Sequence, residues 1–433
     1  MLSIKPLVWN SAEWKEAAEK LGVKRHPLVS AKHSAKKPTG SLNVERFKVS
    51  IPEHILADLR QRLTRTRWAG DYGNADWAYG TEQGYLTELV RYWAKDFDWS
   101  AQERAINAFS HYRINLEGVP IHFIHEKGQG PRPMPLVLTH GWPWTFWDMH
   151  KVIRPLTHPA EFGGNPNDAF DVVVPSLPGF GFSTPLKQTG LNFMRTADLW
   201  VRLMEGLGYS RFGAQGSDTG AFVSSQLGHR YPEHVLGIHL TFPMPLDANT
   251  NPNSIPTPDS YGPDEQQALA RTVNFLRDGT GYVSIQSTRP QTLAYAMHDS
   301  PAGMCAWLLE KRRAWSDCDG DVEKVFSKDE LLTAMTLYWA TESFDSATRF
   351  YYETAHHPWE PSHPGPRMVD VPTGVAIMPK DVVQMPRSWA EQYYDLRSWN
   401  VFPHGGHFAH MEQPELLVKD IRDFFRPLRG QMG

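Results

Sequence analysis

The sequence predicts an α/β fold, a mostly parallel central sheet flanked by helices, with a helical cap inserted late in the chain and a helical extension before the sheet. Three observations carry this. Short apolar runs recur between residues 112 and 245 with helical patterns between them, the spacing of β–α–β units. One run leads into Gly-Ser-Asp-Thr-Gly at 216–220, a tight turn with a carboxylate at its tip. After Pro243 the alternation stops and does not resume until Val371.

The elements follow in chain order. Residues 1–46 form a basic tail, nine Lys/Arg against four Asp/Glu, and its Lys-, Pro- and Ser-rich stretch 32–40 reads as loop. Residues 47–111 read as a helical region that wraps the core. Leu56, Leu59 and Leu63 give it an apolar face after Pro52, and Ser100 with Glu103 reads as a capping box. The first part of the core covers 112–245. Its strands are 113–116 and 121–124 around a Glu-Gly hairpin turn, then 135–138, 170–174, a run within 209–214, and 237–242. Pro178-Gly-Phe-Gly-Phe182 either lines the mouth of a site or is a turn-rich connection. The cap covers 246–368, with a Pro/Asn-rich loop at 249–263 and helices at 266–277, 304–315 and, after a capping box at Ser327 and Glu330, 331–340. The second part of the core, 369–433, supplies strands 373–378 and 396–402 and a helix opened by Pro414. There is no internal repeat and no low-complexity tract.

The turn at 216–220 has the small-x-nucleophile-x-small pattern of an α/β-hydrolase elbow, where flanking glycines avoid clashes in a sharp strand-to-helix turn. The nucleophile position holds Asp218 in place of the usual serine. A carboxylate is ionised at neutral pH and needs no base to activate it. It suits displacement at saturated carbon, in an epoxide or beside a halide, better than attack on an acyl group. A lone pentapeptide of this kind is more often an ordinary turn, so the elbow reading needs partners. The fold expects an oxyanion element upstream, then an acid and a histidine downstream. His140-Gly-Trp-Pro143 ends the 135–138 strand and aims the Trp142 N–H at the site, with the Thr219 N–H as second donor. The Trp142–Pro143 bond is a candidate for the cis form. His407, carried by the glycine pair 405–406, is the candidate base. His404, His407 and His410 recur every third residue, which admits a metal reading, but the intervening glycines oppose helical ligand spacing. Asp381 follows the 373–378 strand and is the candidate acid orienting His407, with Asp370 and Asp395 as competitors.

Taken with these motifs, the chain resembles the epoxide hydrolases of the microsomal type from about residue 47 to 425. The resemblance rests on the His-Gly-Trp-Pro turn, the segment 281–292 (Gly-Tyr-Val-Ser-Ile-Gln-Ser-Thr-Arg-Pro-Gln-Thr) and Asp299-Ser-Pro301. It continues through Leu309-Glu-Lys311, Arg349-Phe-Tyr351, Val371-Pro-Thr-Gly374 and Gly405-Gly-His-Phe408. It implies an epoxide substrate, no cofactor and no metal. It also implies two cap tyrosines that hold the epoxide oxygen, falling on Tyr282 and on Tyr351, or on its neighbour Tyr352. A phenol of pKa about 10 can donate to the oxygen as the ring opens. The chain departs from the family at Thr219, where Trp is common. It also departs at the N-terminus, which lacks the continuous apolar core of a signal peptide.

Composition excludes other classes. Net charge is −4 with no dominant basic run, which argues against nucleic acid. Two cysteines make no disulfide framework and fit a reducing compartment. No stretch reaches the roughly 18 apolar residues of a membrane span, so the chain reads as soluble and cytoplasmic with no membrane anchor. The 16 Trp suit a large apolar pocket and an apolar substrate. Oligomeric state is open, a homodimer included. Two other functions share these motifs, a haloalkane dehalogenase using the same Asp218 ester and a non-catalytic small-molecule-binding protein on this fold.

Overall fold

The computed structural model describes residues 43–248, 251, 254–364 and 367–431. The basic tail, apart from its last four residues, and part of the Pro/Asn-rich loop lie outside these.

Nine strands form one sheet: β1 (Glu45–Phe47), β2 (His111–Leu116), β3 (Val119–Glu126), β4 (Met134–Thr139), β5 (Phe170–Pro175), β6 (Phe212–Gly216), β7 (Val235–Leu240), β8 (Val369–Ile377) and β9 (Tyr394–Val401). Their order is β1-β2-β3-β5-β4-β6-β7-β8-β9. The pairs from β1 to β3, and β3 with β5, are antiparallel. From β5 through β4 to β9 every pair is parallel. The β2–β3 hairpin turns at Glu117 and Gly118, both with positive φ (54° and 85°), as a tight two-residue hairpin requires. The strand leading to the elbow begins at Phe212, later than the apolar run suggests, because the chain is still turning at Tyr209.

Strands β5, β6 and β7 are buried along their whole length, as expected of a parallel sheet covered on both faces. The chain passes from β4 to β5 on one side and then crosses to β6 on the other. That reversal leaves a crevice at the carboxyl ends of β4 and β6, where open α/β sheets place ligands. Both the His140 turn and the Asp218 turn leave the sheet there.

Six helices lie between β7 and β8 among the described residues: Gln266–Asn274, Gly281–Thr288, Pro290–Asp299, Pro301–Trp315, Lys328–Ala340 and Phe344–His356. The first is extended by a π-turn at Phe275–Gly279. Three of the six lie outside the helices expected from the sequence. Helix Gly281–Thr288 is built largely of Gly, Ser, Thr and β-branched residues and lies against helix Phe344–His356, so tertiary packing overrides its weak propensity. Ser327 and Glu330 form the expected reciprocal cap of Lys328–Ala340.

The N-terminal helices Glu53–Thr64, Gln83–Lys95 and Trp99–Ile106 brace this cap. Leu56, Leu59 and Leu63 are buried. Trp93 Nε1 donates to Thr336 Oγ1 at 3.0 Å, and the Tyr92 hydroxyl donates to Asp329 at 2.9 Å. The capping box expected at Ser100 does not form. Asp98 caps that helix instead, accepting from the Ala101 N–H at 3.1 Å, because the helix begins at Trp99 and Ser100 already lies inside its first turn. Glu103 turns away and accepts from the Ile51 N–H and from Trp99 Nε1.

Candidate active site

Asp218 sits between β6 and helix Thr219–Arg230 with φ 51° and ψ −126°, a backbone conformation strained for any residue but glycine. The glycines on either side are steric requirements. A Cβ on Gly216 would lie 2.0 Å from the Gly220 carbonyl oxygen, and one on Gly220 would lie 1.9 Å from that of Thr139. Gly220→Ala is therefore expected to lower stability by about 3 kcal/mol or more, since the obstacle is backbone and cannot rotate away. A urea midpoint equal to wild type would show that the elbow tolerates the methyl.

The carboxylate oxygens of Asp218 differ. Oδ1 accepts the Trp142 backbone N–H at 2.9 Å and the Thr219 hydroxyl at 3.0 Å. The contact from Thr219 is made by its side chain and not by the N–H expected from the motif. Gly141 packs against this oxygen so closely that a Cβ there would lie 2.2 Å away. The Trp142–Pro143 bond is cis. Oδ2 faces His407 Nε2 at 3.4 Å, an ion-pair contact without hydrogen-bond alignment.

His407 is buried, and its Nδ1 lies 2.8 Å from Asp381 Oδ1, which also accepts the Val382 N–H at 2.7 Å. The competitors are elsewhere. Asp370 is exposed on β8, and Asp395 is occupied by Arg367 and Arg397. The three regularly spaced histidines diverge: His404 is exposed, His407 meets Asp381, and His410 turns to Gln215 at 2.8 Å. Burial disfavours charge on His407, but the Asp381 and Asp218 carboxylates outweigh it and raise its pKa to about 10.

The histidine loop is held by a residue the motifs did not single out. Glu412 accepts the N–H groups of Gly406 (2.9 Å), Phe408 (2.8 Å) and Asp317 (2.7 Å), joining the loop to the end of cap helix Pro301–Trp315. Burial pushes its carboxyl up to about 7 against these bonds. A Cβ on Gly406 would lie 2.6 Å from the Trp315 carbonyl oxygen, which explains the second glycine of the pair. The only sequence trace of Glu412 is its place before Gln413-Pro414.

Two cap tyrosines complete the ring of polar groups. Tyr282 stacks on Trp142 with centroids 5.0 Å apart, and Tyr351 lies edge-on to both rings at 5.8 Å. Burial, reinforced by the Asp218 charge, raises the pKa of both phenols. Tyr352 instead stacks on His356, away from the cavity. Lys311, which the sequence motifs include without a role, places Nζ 5.3 Å over the Tyr282 ring, and burial lowers its pKa to about 8.

Asp218, Thr219, His407, Tyr282 and Tyr351 open onto one cavity of about 360 Å³. Its walls are otherwise mainly apolar, with Phe193, Phe222, Phe242 and Phe350 deep and Val273 and Leu276 at an exposed rim. The 178–182 segment does not line this cavity. It is buried, Phe180 packing edge-on against His140 and Phe350, and it serves as a structural connection. No described helix is long and apolar enough to cross a membrane. Cys305 and Cys318 are both free and buried.

A strand–turn–helix carrying an acidic side chain against a buried His–Asp pair, under an inserted helical roof, defines an α/β-hydrolase fold protein. The profile of the family described as epoxide hydrolase N terminus matches residues 44–149, and that of the alpha/beta hydrolase fold matches 134–281. A protein of Stigmatella aurantiaca, provisionally named an epoxide hydrolase, is 42% identical over 386 residues, covering 89% of this chain and 85% of its own. Epoxide hydrolase 1 of Oryctolagus cuniculus is 35% identical over 403 residues, with 88% of each chain covered. The solved structure of Aspergillus niger epoxide hydrolase superimposes with a TM-score of 0.78 at 29% identity, covering 90% of this chain and 97% of that one. The chain belongs to the epoxide hydrolases, enzymes that add water to an epoxide.

Proposed function

We propose that this enzyme opens its epoxide in two covalent steps through Asp218. Oδ2, the oxygen free of amide and hydroxyl donors, attacks one ring carbon from the side opposite the C–O bond. The Tyr282 and Tyr351 hydroxyls donate to the departing oxygen. The C–O bond breaks, an alkyl ester forms on Asp218, and the alkoxide takes up a proton.

Ester formation removes the Asp218 charge. That charge is one of the causes that keep His407 protonated and raise the phenol pKa values. Its loss frees the imidazolium to give up its proton, the net source of the one the alkoxide gains. Neutral His407, oriented by Asp381, then takes a proton from water, and the hydroxide attacks the Asp218 carbonyl carbon. The oxyanion develops on Oδ1, beside the Trp142 N–H. As the tetrahedral species collapses, the Cγ–Oδ2 bond breaks and the hydroxyl proton of that species passes to Oδ2, which leaves with the diol, so that Asp218 is again ionised and His407 charged.

The single observation that supports this most is the division of the carboxylate, Oδ1 on oxyanion donors and Oδ2 toward the base. The apolar walls favour an apolar epoxide large enough to fill the cavity.

Single turnover with enzyme in excess, in heavy-oxygen water, tests the route. The first diol is expected to be unlabelled, with one heavy oxygen found in Asp218 after proteolysis. Label in the first diol would mean that water attacks the substrate carbon directly and would sink the covalent reading.

A further inference from the structure

We infer that the Thr219 hydroxyl is a catalytic oxyanion donor of this enzyme, acting with the Trp142 N–H in ester hydrolysis. The inference rests on the covalent reading above.

The Thr219 hydroxyl lies 3.0 Å from Asp218 Oδ1, the oxygen that also takes the Trp142 N–H at 2.9 Å. An ionised carboxylate only accepts, so the hydroxyl is the donor. Thr219 is the first residue of helix Thr219–Arg230 and is β-branched, which limits its rotamers and holds the hydroxyl in place. It also lines the cavity, so the donor sits where the reaction occurs. Gly141 closes the other side of Oδ1, which opposes exchange of the two oxygens by rotation. Oδ1 therefore becomes the ester carbonyl oxygen and then the oxyanion, while Oδ2 becomes the ester oxygen.

The strength of this hydrogen bond follows the charge on Oδ1. That charge is shared in the free carboxylate, smaller in the ester and largest in the tetrahedral species. The bond thus weakens as the ester forms and strengthens as the ester is hydrolysed. Removing it should leave alkylation unchanged or slightly faster and should slow hydrolysis. A threonine retained only to shape the pocket would affect substrate binding and the first step instead.

Thr219→Val removes the hydroxyl at nearly constant volume, and Thr219→Ser restores it without the methyl group. Rapid mixing with an aryl epoxide that wild type turns over, read by intact mass, separates ester formation from ester loss. In Thr219→Val, ester loss is expected to slow by roughly 10- to 100-fold, at or below the low end of what one oxyanion donor supplies, since the Trp142 N–H remains. Ester formation should stay within about threefold of wild type, so kcat and KM fall together and kcat/KM holds. Thr219→Ser should recover most of the hydrolysis rate. Wild-type ester loss in Thr219→Val would overturn the assignment, as would equal slowing of both steps. If neither wild type nor His407→Gln ever carries an adduct, it is the Asp218 ester itself that fails.

Discussion

His407→Gln is expected to turn this enzyme into a trap that alkylates once and stops. The first step asks of Asp218 only that it be ionised and aimed. Neither depends on the imidazole, because the Trp142 N–H and the elbow backbone fix the carboxylate. Without the imidazolium, the phenols protonate the alkoxide and recover their proton from solvent. Among the described residues lining the cavity the second step has no other base, and Asp381 points at Nδ1, on the far side of the ring from Asp218. Loss of a general base slows its step by roughly 10²- to 10⁴-fold, and in this buried site we expect the upper part of that range. Intact mass after brief exposure should show one adduct per chain equal to the whole epoxide, mapped to Asp218. An adduct equal to a haloalkane less its halogen would instead assign dehalogenation to the same carboxylate. Continued turnover without any adduct would mean that a different group activates water.

The residues on which the proposed reaction depends were unequally visible in the sequence. The elbow could be read because its constraint is local: Gly216 and Gly220 are dictated by backbone atoms a few residues away or on the adjacent strand. Asp381 and His407 could be read because each follows a strand-like run, apolar before Asp381 and alternating before His407, and strand ends are where an α/β sheet presents side chains. The tyrosines came only from resemblance, since nothing local distinguishes Tyr351 from Tyr352. What separates them is the direction of a helix face, one toward Trp142 and the other toward His356. The roles of Glu412 and Lys311 stayed hidden for a related reason. Glu412 acts through three N–H groups, one of them from the cap, and Lys311 through a ring nearly thirty residues away in sequence. The misplaced cap at Ser100 shows the limit of motif matching. The capping-box pattern was present, but Asp98 offered a better geometry that no pattern weighs.

Removing both cap phenols should have an effect as large as losing the base, but on the other step. In Tyr282→Phe/Tyr351→Phe the cavity keeps its aromatic packing, while the departing oxygen loses both donors in an apolar enclosure. An alkoxide among these apolar walls is poorly solvated, so the cost approaches that of an unpaired developing charge. One missing donor of this kind typically costs about 3–4 kcal/mol at the transition state, or roughly 10²- to 10³-fold. Either single variant should fall near the lower figure, because the remaining phenol still reaches the same oxygen. The double variant should lose more than about 10⁴-fold in ester formation, more than the two single losses added, since neither phenol is then left to cover for the other. Measuring this in a His407→Gln background isolates the first step, as ester then accumulates without being consumed. Tyr352→Phe serves as the control and should form ester at the rate of the His407→Gln parent, because its ring stacks on His356 outside the cavity. If the double variant alkylates as fast as that parent, the ring opens without phenolic assistance and the two tyrosines merely pack. If Tyr352→Phe is the variant that fails, the oxygen is held from the other side of helix Phe344–His356, and the orientation of that helix must change when substrate binds.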